Sequence, residues 1–177
     1  MTRRIFVFVL AFLILENAPV LSVANDQEGT RRAPEVAVET RKAIEGAYDK
    51  IKEGFKKNDP SAWEGFLTPD FRLKLFSGEV KDRQWVLGYV RNNSKAFKVL
   101  ELSMRVKELT IRGSDAIAMV EQKSSRQFKD EQGTKHKLEV GAIQQETWTK
   151  SANGWKLREV QEKEVLFLLR DGKPMNQ

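Results

Sequence analysis

The sequence predicts an α+β domain in which helices come first and a sheet of long strands follows. Three observations predict it. From Val36 to Phe55 the apolar residues recur at helical spacing on one face. From Phe97 onward the chain alternates over segments too long for ordinary loops, broken only by short polar turns. Within Gln144–Glu162 a Ser-Ala-Asn-Gly turn at Ser151–Gly154 stands between two strand-favouring runs, with Trp148 and Trp155 outside its ends.

The first residues are read as a secretory signal, not as fold. Arg3 and Arg4 precede the apolar run Ile5–Leu15, which is too short to span a bilayer, and Ser22 and Ala24 occupy small-residue cleavage positions. Cleavage after Ala24 leaves residues 25–177, a secreted or periplasmic protein with no stable membrane anchor. Residues 25–34 are expected to be a flexible lead-in, 35–165 the domain and 166–177 a tail. The 177-residue chain has no cysteine, which excludes a disulfide framework and a lipid-bearing cysteine. Its 31 basic and 25 acidic side chains are dispersed, so nucleic-acid binding is not expected.

The first helix carries Val36, Ala43, Ile44, Ala47, Tyr48, Ile51 and Phe55 on one face, is weakened by Gly46 and Gly54, and stops at Asn58. Asp59-Pro60 opens a short second helix with Trp63, Phe66 and Leu67 inward, and Thr68-Pro69-Asp70 breaks it. Phe71–Phe76 alternates as a strand, and Asp82 caps a third helix that buries Trp85, Val86, Tyr89 and Val90. In Phe97–Arg112 the apolar phase changes between Val106 and Leu109, which predicts a bulge near Lys107. Strands Ala116–Phe128 and Thr134–Thr149 follow, then the tryptophan hairpin. Pairing Lys150 with Trp155 sets Trp148 opposite Leu157, Glu146 opposite Glu159 and Gln144 opposite Gln161, all on one face. The apolar run Val165–Leu169 belongs to the tail and needs cover.

Helix ending in Asn58-Asp59, Trp63 and Phe66-Leu67 before Thr68-Pro69-Asp70-Phe71, the turn Gly113-Ser114-Asp115-Ala116, and Thr147-Trp148-Thr149 followed by Gly154-Trp155-Lys156-Leu157 come in an order that resembles the nuclear transport factor 2-like superfamily. The SnoaL-like and ketosteroid-isomerase-like branch is the nearest resemblance. It implies a cone: a curved antiparallel sheet wrapped on the long N-terminal helix, two shorter helices beside it, a pocket in the open end, and a homodimer through the outer sheet face. The branch's catalytic set does not carry over. Its tyrosine position falls on Ile51, its base on Leu75 and its buried acid on Gln144 or Gln145. The acid–base histidine of SnoaL-like cyclases has one counterpart, His136, which reads as an exposed hairpin residue.

Two facing carboxylates under partial burial cannot both ionise cheaply, so Glu146 and Glu159 are the catalytic candidates. The ligand-lining candidates are Tyr48, Trp63, Leu75, Trp85, Tyr89, Gln144 and Gln161. No nucleophile elbow, phosphate loop or Cys/His cluster occurs, so neither cofactor nor metal is expected. Three functions remain open: an exported binder of a small, mostly apolar ligand; an acid–base enzyme using Glu146 or Glu159; and a non-catalytic dimerisation or partner-binding module.

Overall fold

The computed structural model describes residues 29–175 apart from 58 and 60. The expected signal segment 1–24, the first part of the lead-in and the stop at Asn58 lie outside the described residues. Helix α1 spans Gly29–Lys56, α2 Ser61–Glu64 and α3 Arg83–Ala96. The strands are β1 (Leu67–Lys74), β2 (Val80–Asp82), β3 (Lys98–Arg112), β4 (Asp115–Lys129), β5 (Lys135–Ser151), β6 (Gly154–Arg170) and β7 (Lys173–Pro174). They form one curved, unclosed sheet in the order β2-β1-β6-β5-β4-β3, with β7 on the far end of β6.

Apolar residues of α1 at spacings of three and four, Ile44, Ala47, Tyr48 and Ile51, are buried against the sheet. With them lie Phe71, Val86, Leu87, Val106, Ala116, Ala118, Val120, Trp148, Leu157 and Val160. Asp82 caps α3 as expected, accepting from the Trp85 amide at 2.8 Å. α3 buries Val86, Leu87 and Val90, whereas Trp85 is half-buried and Tyr89 is exposed.

Two helix glycines lead to opposite expectations. At Gly54 an added Cβ would stand 2.3 Å from the Ala62 Cβ and 3.0 Å from the Asp59 carbonyl, because the chain folds back there from α1 into α2. At Gly46 it would meet nothing within 4 Å. Gly46→Ala is therefore expected to stabilise the protein by about 0.5–1 kcal/mol through helix propensity. Gly54→Ala is expected to destabilise it by about 1–3 kcal/mol through overpacking. Urea denaturation of both variants checks this; stabilisation by Gly54→Ala would refute the close α1–α2 contact.

Strand irregularities bend the sheet. β3 carries the expected extra residue at Lys107, between the pairs Val106–Val120 and Glu108–Met119, and a second at Leu100. Arg41 of α1 donates to the Val106 carbonyl at 2.7 Å, which seats the helix beside that bulge. β6 carries three unpaired residues against β5: Arg158, Lys163 and Leu166. Each adds local twist, so the ribbon curls around α1.

Five expectations about the fold are corrected. The sheet is mixed, because β1 runs parallel to β6; a strand that pairs with a distant segment leaves no local signal of its direction. α2 ends at Glu64, and Leu67 to Asp70, expected as helix end and break, open β1 instead. Pro69 donates no backbone hydrogen bond, and it sits in the irregular stretch between the pairs Leu67–Leu157 and Arg72–Glu159. β2 was not foreseen. α1 extends back through Pro34 to Gly29, so residues 29–34 are helix, not lead-in; extending a formed helix costs far less than starting one. Residues 166–170, expected as tail, continue β6, and Asp171-Gly172 then turns the chain into β7. Asp171 (φ 52) and Gly172 (φ 76) supply the two left-handed positions of that tight turn. Val165 and Leu168 of the run Val165–Leu169 thus find their cover in a second small core around Leu138, whereas Leu166 stays exposed.

Candidate functional site

β4 and β5 pair without a slip from Asp115–Thr149 to Lys129–Lys135, so their even-numbered residues share the face turned toward α1. On that concave face Ala116, Ala118 and Val120 lie beside Trp148, Glu146 and Gln144. Glu146 is buried at 1% exposure and is surrounded by donors. The Tyr48 hydroxyl donates to its Oε2 at 2.5 Å, Trp148 Nε1 donates to the same oxygen at 2.7 Å, and Gln144 Nε2 donates to Oε1 at 2.6 Å. Tyr48 and Trp148 also meet edge to face, with ring centroids 5.8 Å apart. Burial raises the Glu146 carboxyl above the usual range, against the three donors that would lower it. Tyr48 is held protonated, by burial first and then by the neighbouring carboxyl.

The expected pairing of Glu146 with Glu159 does not form. Trp148 faces Leu157 as expected, but Arg158 bulges out and Thr147 then pairs with Glu159. Glu146 instead faces Val160, and Gln144 faces Glu162. Glu159 and Gln161 therefore lie on the outer face, where Gln161 accepts from Lys163 at 2.8 Å. The extruded Arg158 pairs with Asp115 at 2.6 Å.

Of the lining candidates, the structure brings Tyr48 and Gln144 together at Glu146. Trp63 packs edge to face on Phe71, and Leu75 is buried at 3%. Trp85 and Tyr89 stack on each other along α3, centroids 5.3 Å apart, with Lys81 over Trp85. Two residues that matter were missed. Trp148, read as core, is a donor to the buried acid. Glu162, on the concave face, accepts from the Phe76 amide at 3.1 Å, and burial raises its carboxyl. A signal existed: Leu157, Val160, Val165 and Leu168 are not spaced by two, the same kind of phase change that marks the bulge in β3.

The arrangement differs from the branch's catalytic set. A tyrosine on the first helix does meet a buried acid on β5, at Tyr48 and Glu146, not at the counted positions. Yet the hydroxyl gives its one proton to the carboxyl, and both groups are almost wholly sealed, at 1% exposure each. That leaves them no donor directed at a substrate.

His136 is not an exposed hairpin residue. Its side chain is 15% exposed; Nε2 lies 2.9 Å from Asp130 and Nδ1 2.7 Å from Asp171. Both ring nitrogens face carboxylates, an arrangement that favours the imidazolium form, and the ring ties the β4–β5 turn to the β6–β7 turn. The Asp130 bond first, and then the Asp171 bond, raise the His136 pKa. The contribution is thus complete below the ordinary value of 6.5 and is lost as pH rises through the folded value. The two aspartates are held low, so their part is lost only as pH falls below the usual carboxylate range. As the single histidine, His136 gives a single Hε1 resonance by proton NMR. Its midpoint is expected above the ordinary value, and Asp171→Asn should lower it; a midpoint at or below that value would refute the clamp.

Two surface clefts lie elsewhere. One of about 490 Å³ is lined by Leu67, Pro69, Arg72, Asp82, Arg83 and Gln84. The other, about 290 Å³, lies mainly on the outer face between Glu101, Arg105, Glu121, Lys123, Glu139 and Phe167. Among the described residues no cluster of three or more His, Cys, Asp or Glu could hold a metal.

A curved, open sheet around one long helix, with two shorter helices beside it, defines a class. The chain has the nuclear transport factor 2-like fold. No family model matches the sequence, and no curated protein matches it. Among solved structures, one from Kribbella flavida is similar at TM-score 0.62 and 13% identity, covering 75% of this chain and 95% of its own. A Rhodospirillum rubrum structure, described as a nuclear transport factor 2-like protein of unknown function in nutrient uptake, is similar at TM-score 0.52 and 18% identity, over 70% of this chain and 98% of its own. A nuclear transport factor 2-like protein from Cytophaga hutchinsonii is similar at TM-score 0.53 and 14% identity, over 71% and 98%.

Proposed function

We propose that this is an exported binding protein that holds a small, mostly apolar molecule on the concave face of its sheet, without catalysing a reaction. One observation carries the reading. The α1 end of the concave face is closed by the Glu146 cluster, but past Gln144 the same face continues with half-buried Leu102, Met104, Val140 and Val165. Apolar surface left partly open inside a curved sheet suits a ligand with an apolar body. The saturated hydrogen bonding at Glu146 supports binding over acid–base chemistry. Export rests on Arg3, Arg4, the Ile5–Leu15 run and Ala24, and is tested by whether the mature chain begins at Asn25. Native mass spectrometry of protein recovered from a metabolite extract tests the binding: a retained apolar compound supports it, and a mass equal to the bare chain after exposure to a broad extract refutes it.

A second role is compatible with the first: a homodimer through the outer sheet face. The register sets half-buried Ile117, Met119, Ile143 and Phe167 on that face. Lys107, Lys123 and Glu121 stand there as paired charges of both signs, which is compatible with a self-complementary contact between two copies. Light scattering that gives the mass of one chain would refute it.

A further inference from the structure

On the concave face, Val99, Arg126, Leu138 and Arg170 stand side by side across β3, β4, β5 and β6. Arg126 is flanked along its own strand by Ser124 and Phe128. None of these neighbours is acidic. The Arg126 Nε is sealed from solvent with no hydrogen-bond partner, and no ion pair or side-chain hydrogen bond engages the guanidinium among the described residues. Two other arginines with orphaned or bulged positions differ: Arg83 pairs with Glu64 and Arg158 with Asp115. The Arg126 side chain as a whole is only half-buried, so part of it reaches the surface of the concave face. Arg170, across Leu138, has no ion pair among the described residues either, and its guanidinium lies 5.4 Å over the Phe128 ring.

A guanidinium cannot shed its proton at ordinary pH, so burying it without an anion is costly. Burial does weaken its hold on the charge, and the Tyr89 hydroxyl is the titratable group whose field it feels. Removing such a group for stability alone would be easy; it makes sense where an anion arrives.

We infer that Arg126 receives the acidic group of an amphiphilic organic anion whose apolar body lies along the concave face between Met104, Val140 and Val165. Arg170 and the rim of Phe128 stand beside the acidic group. The inference rests on the proposed ligand pocket for its apolar half and adds the chemical class of the ligand. The fork suits an acid that offers two oxygens side by side, as a planar carboxylate does and as two of the three oxygens of a tetrahedral sulfonate do.

Two fluorescent probes separate the claims: anilinonaphthalene sulfonate, which is an anion, and phenylnaphthylamine, the same ring system without the sulfonate. Wild-type protein is expected to bind both, with the anion roughly tenfold tighter. Arg126→Met should abolish that preference and leave the neutral probe unchanged, while Arg126→Lys should retain part of it. The Met variant should also melt at a higher temperature than wild type without probe, since an unpaired buried charge is gone; this shows that it folds and excludes a structural role for the charge. Equal binding of the two probes, or an anion preference that survives Arg126→Met, overturns the Arg126 assignment and leaves the apolar pocket standing. Anion binding without neutral binding keeps Arg126 but overturns the pocket. A lower melting temperature for Arg126→Met, or no binding of either probe, overturns the assignment.

Discussion

Glu146→Ala is expected to cost about 3–5 kcal/mol of stability, whereas Glu146→Gln is expected to melt above wild type at neutral and alkaline pH. Alanine strands three donors at once: the Tyr48 hydroxyl, the Trp148 indole and the Gln144 amide, two of them on almost wholly buried side chains. It also leaves a cavity beside Val120 and Ala118. Glutamine keeps the shape. Its carbonyl accepts from Tyr48 and Trp148, and its amide faces a Gln144 whose own amide can turn over to accept. The pH dependence follows from the raised carboxyl. Unfolded, Glu146 titrates near its ordinary value of 4.5; folded, it holds its proton to higher pH. Between the two the native state binds more protons than the unfolded state, so stability falls as pH rises, by up to about 1.4 kcal/mol per unit for one group. Glu162 and His136 add slopes of the same sign. The difference between wild type and Glu146→Gln isolates the Glu146 part. Thermal melts from pH 4 upward check it: a difference that does not grow with pH would mean that Glu146 is a stabilised carboxylate.

Trp148→Ala is expected to cost at least as much, about 3–5 kcal/mol from lost volume alone. Trp148 is fully buried against Tyr48, Leu157 and Ala116. Trp148→Phe keeps much of the packing and removes only the indole donor, at about 1.5–3 kcal/mol. Because Trp148 Nε1 and the Tyr48 hydroxyl share one oxygen of Glu146, losses at the two sites should not add. A cycle of Trp148→Phe and Tyr48→Phe, read by urea denaturation, should give a coupling of about 0.5–3 kcal/mol. Additive losses would show that the three groups do not act as one network.

The helices were legible because their signals are local. The stripe from Ile44 to Ile51, the Asp82 cap and the Gly-rich turns depend on residues a few positions apart. So does the bulge at Lys107, which shows as a change of apolar phase within one strand. The hairpin at Ser151–Gly154 set its own first pairs correctly, down to Trp148 with Leu157. Beyond Arg158 the reading failed, because one extruded residue exchanges the two faces of the strand as far as the next bulge, at Lys163. That single step moved Glu159 and Gln161 outward and brought Val160 and Glu162 in.

Sequence alone determined the succession of helices and long strands, the absence of disulfides, and Tyr48, Gln144 and Glu146 as residues of the concave side. Periodicity and turn chemistry act over short range, and these features need nothing more. Tertiary structure decided the parallel entry of β1, the three bulges of β6, the joining of Tyr48 and Trp148 on one carboxyl, the clamp at His136 and the solitary charge of Arg126. Each depends on which atoms lie opposite one another after strands far apart in the chain have paired, and whether a buried polar group finds a partner is settled only there.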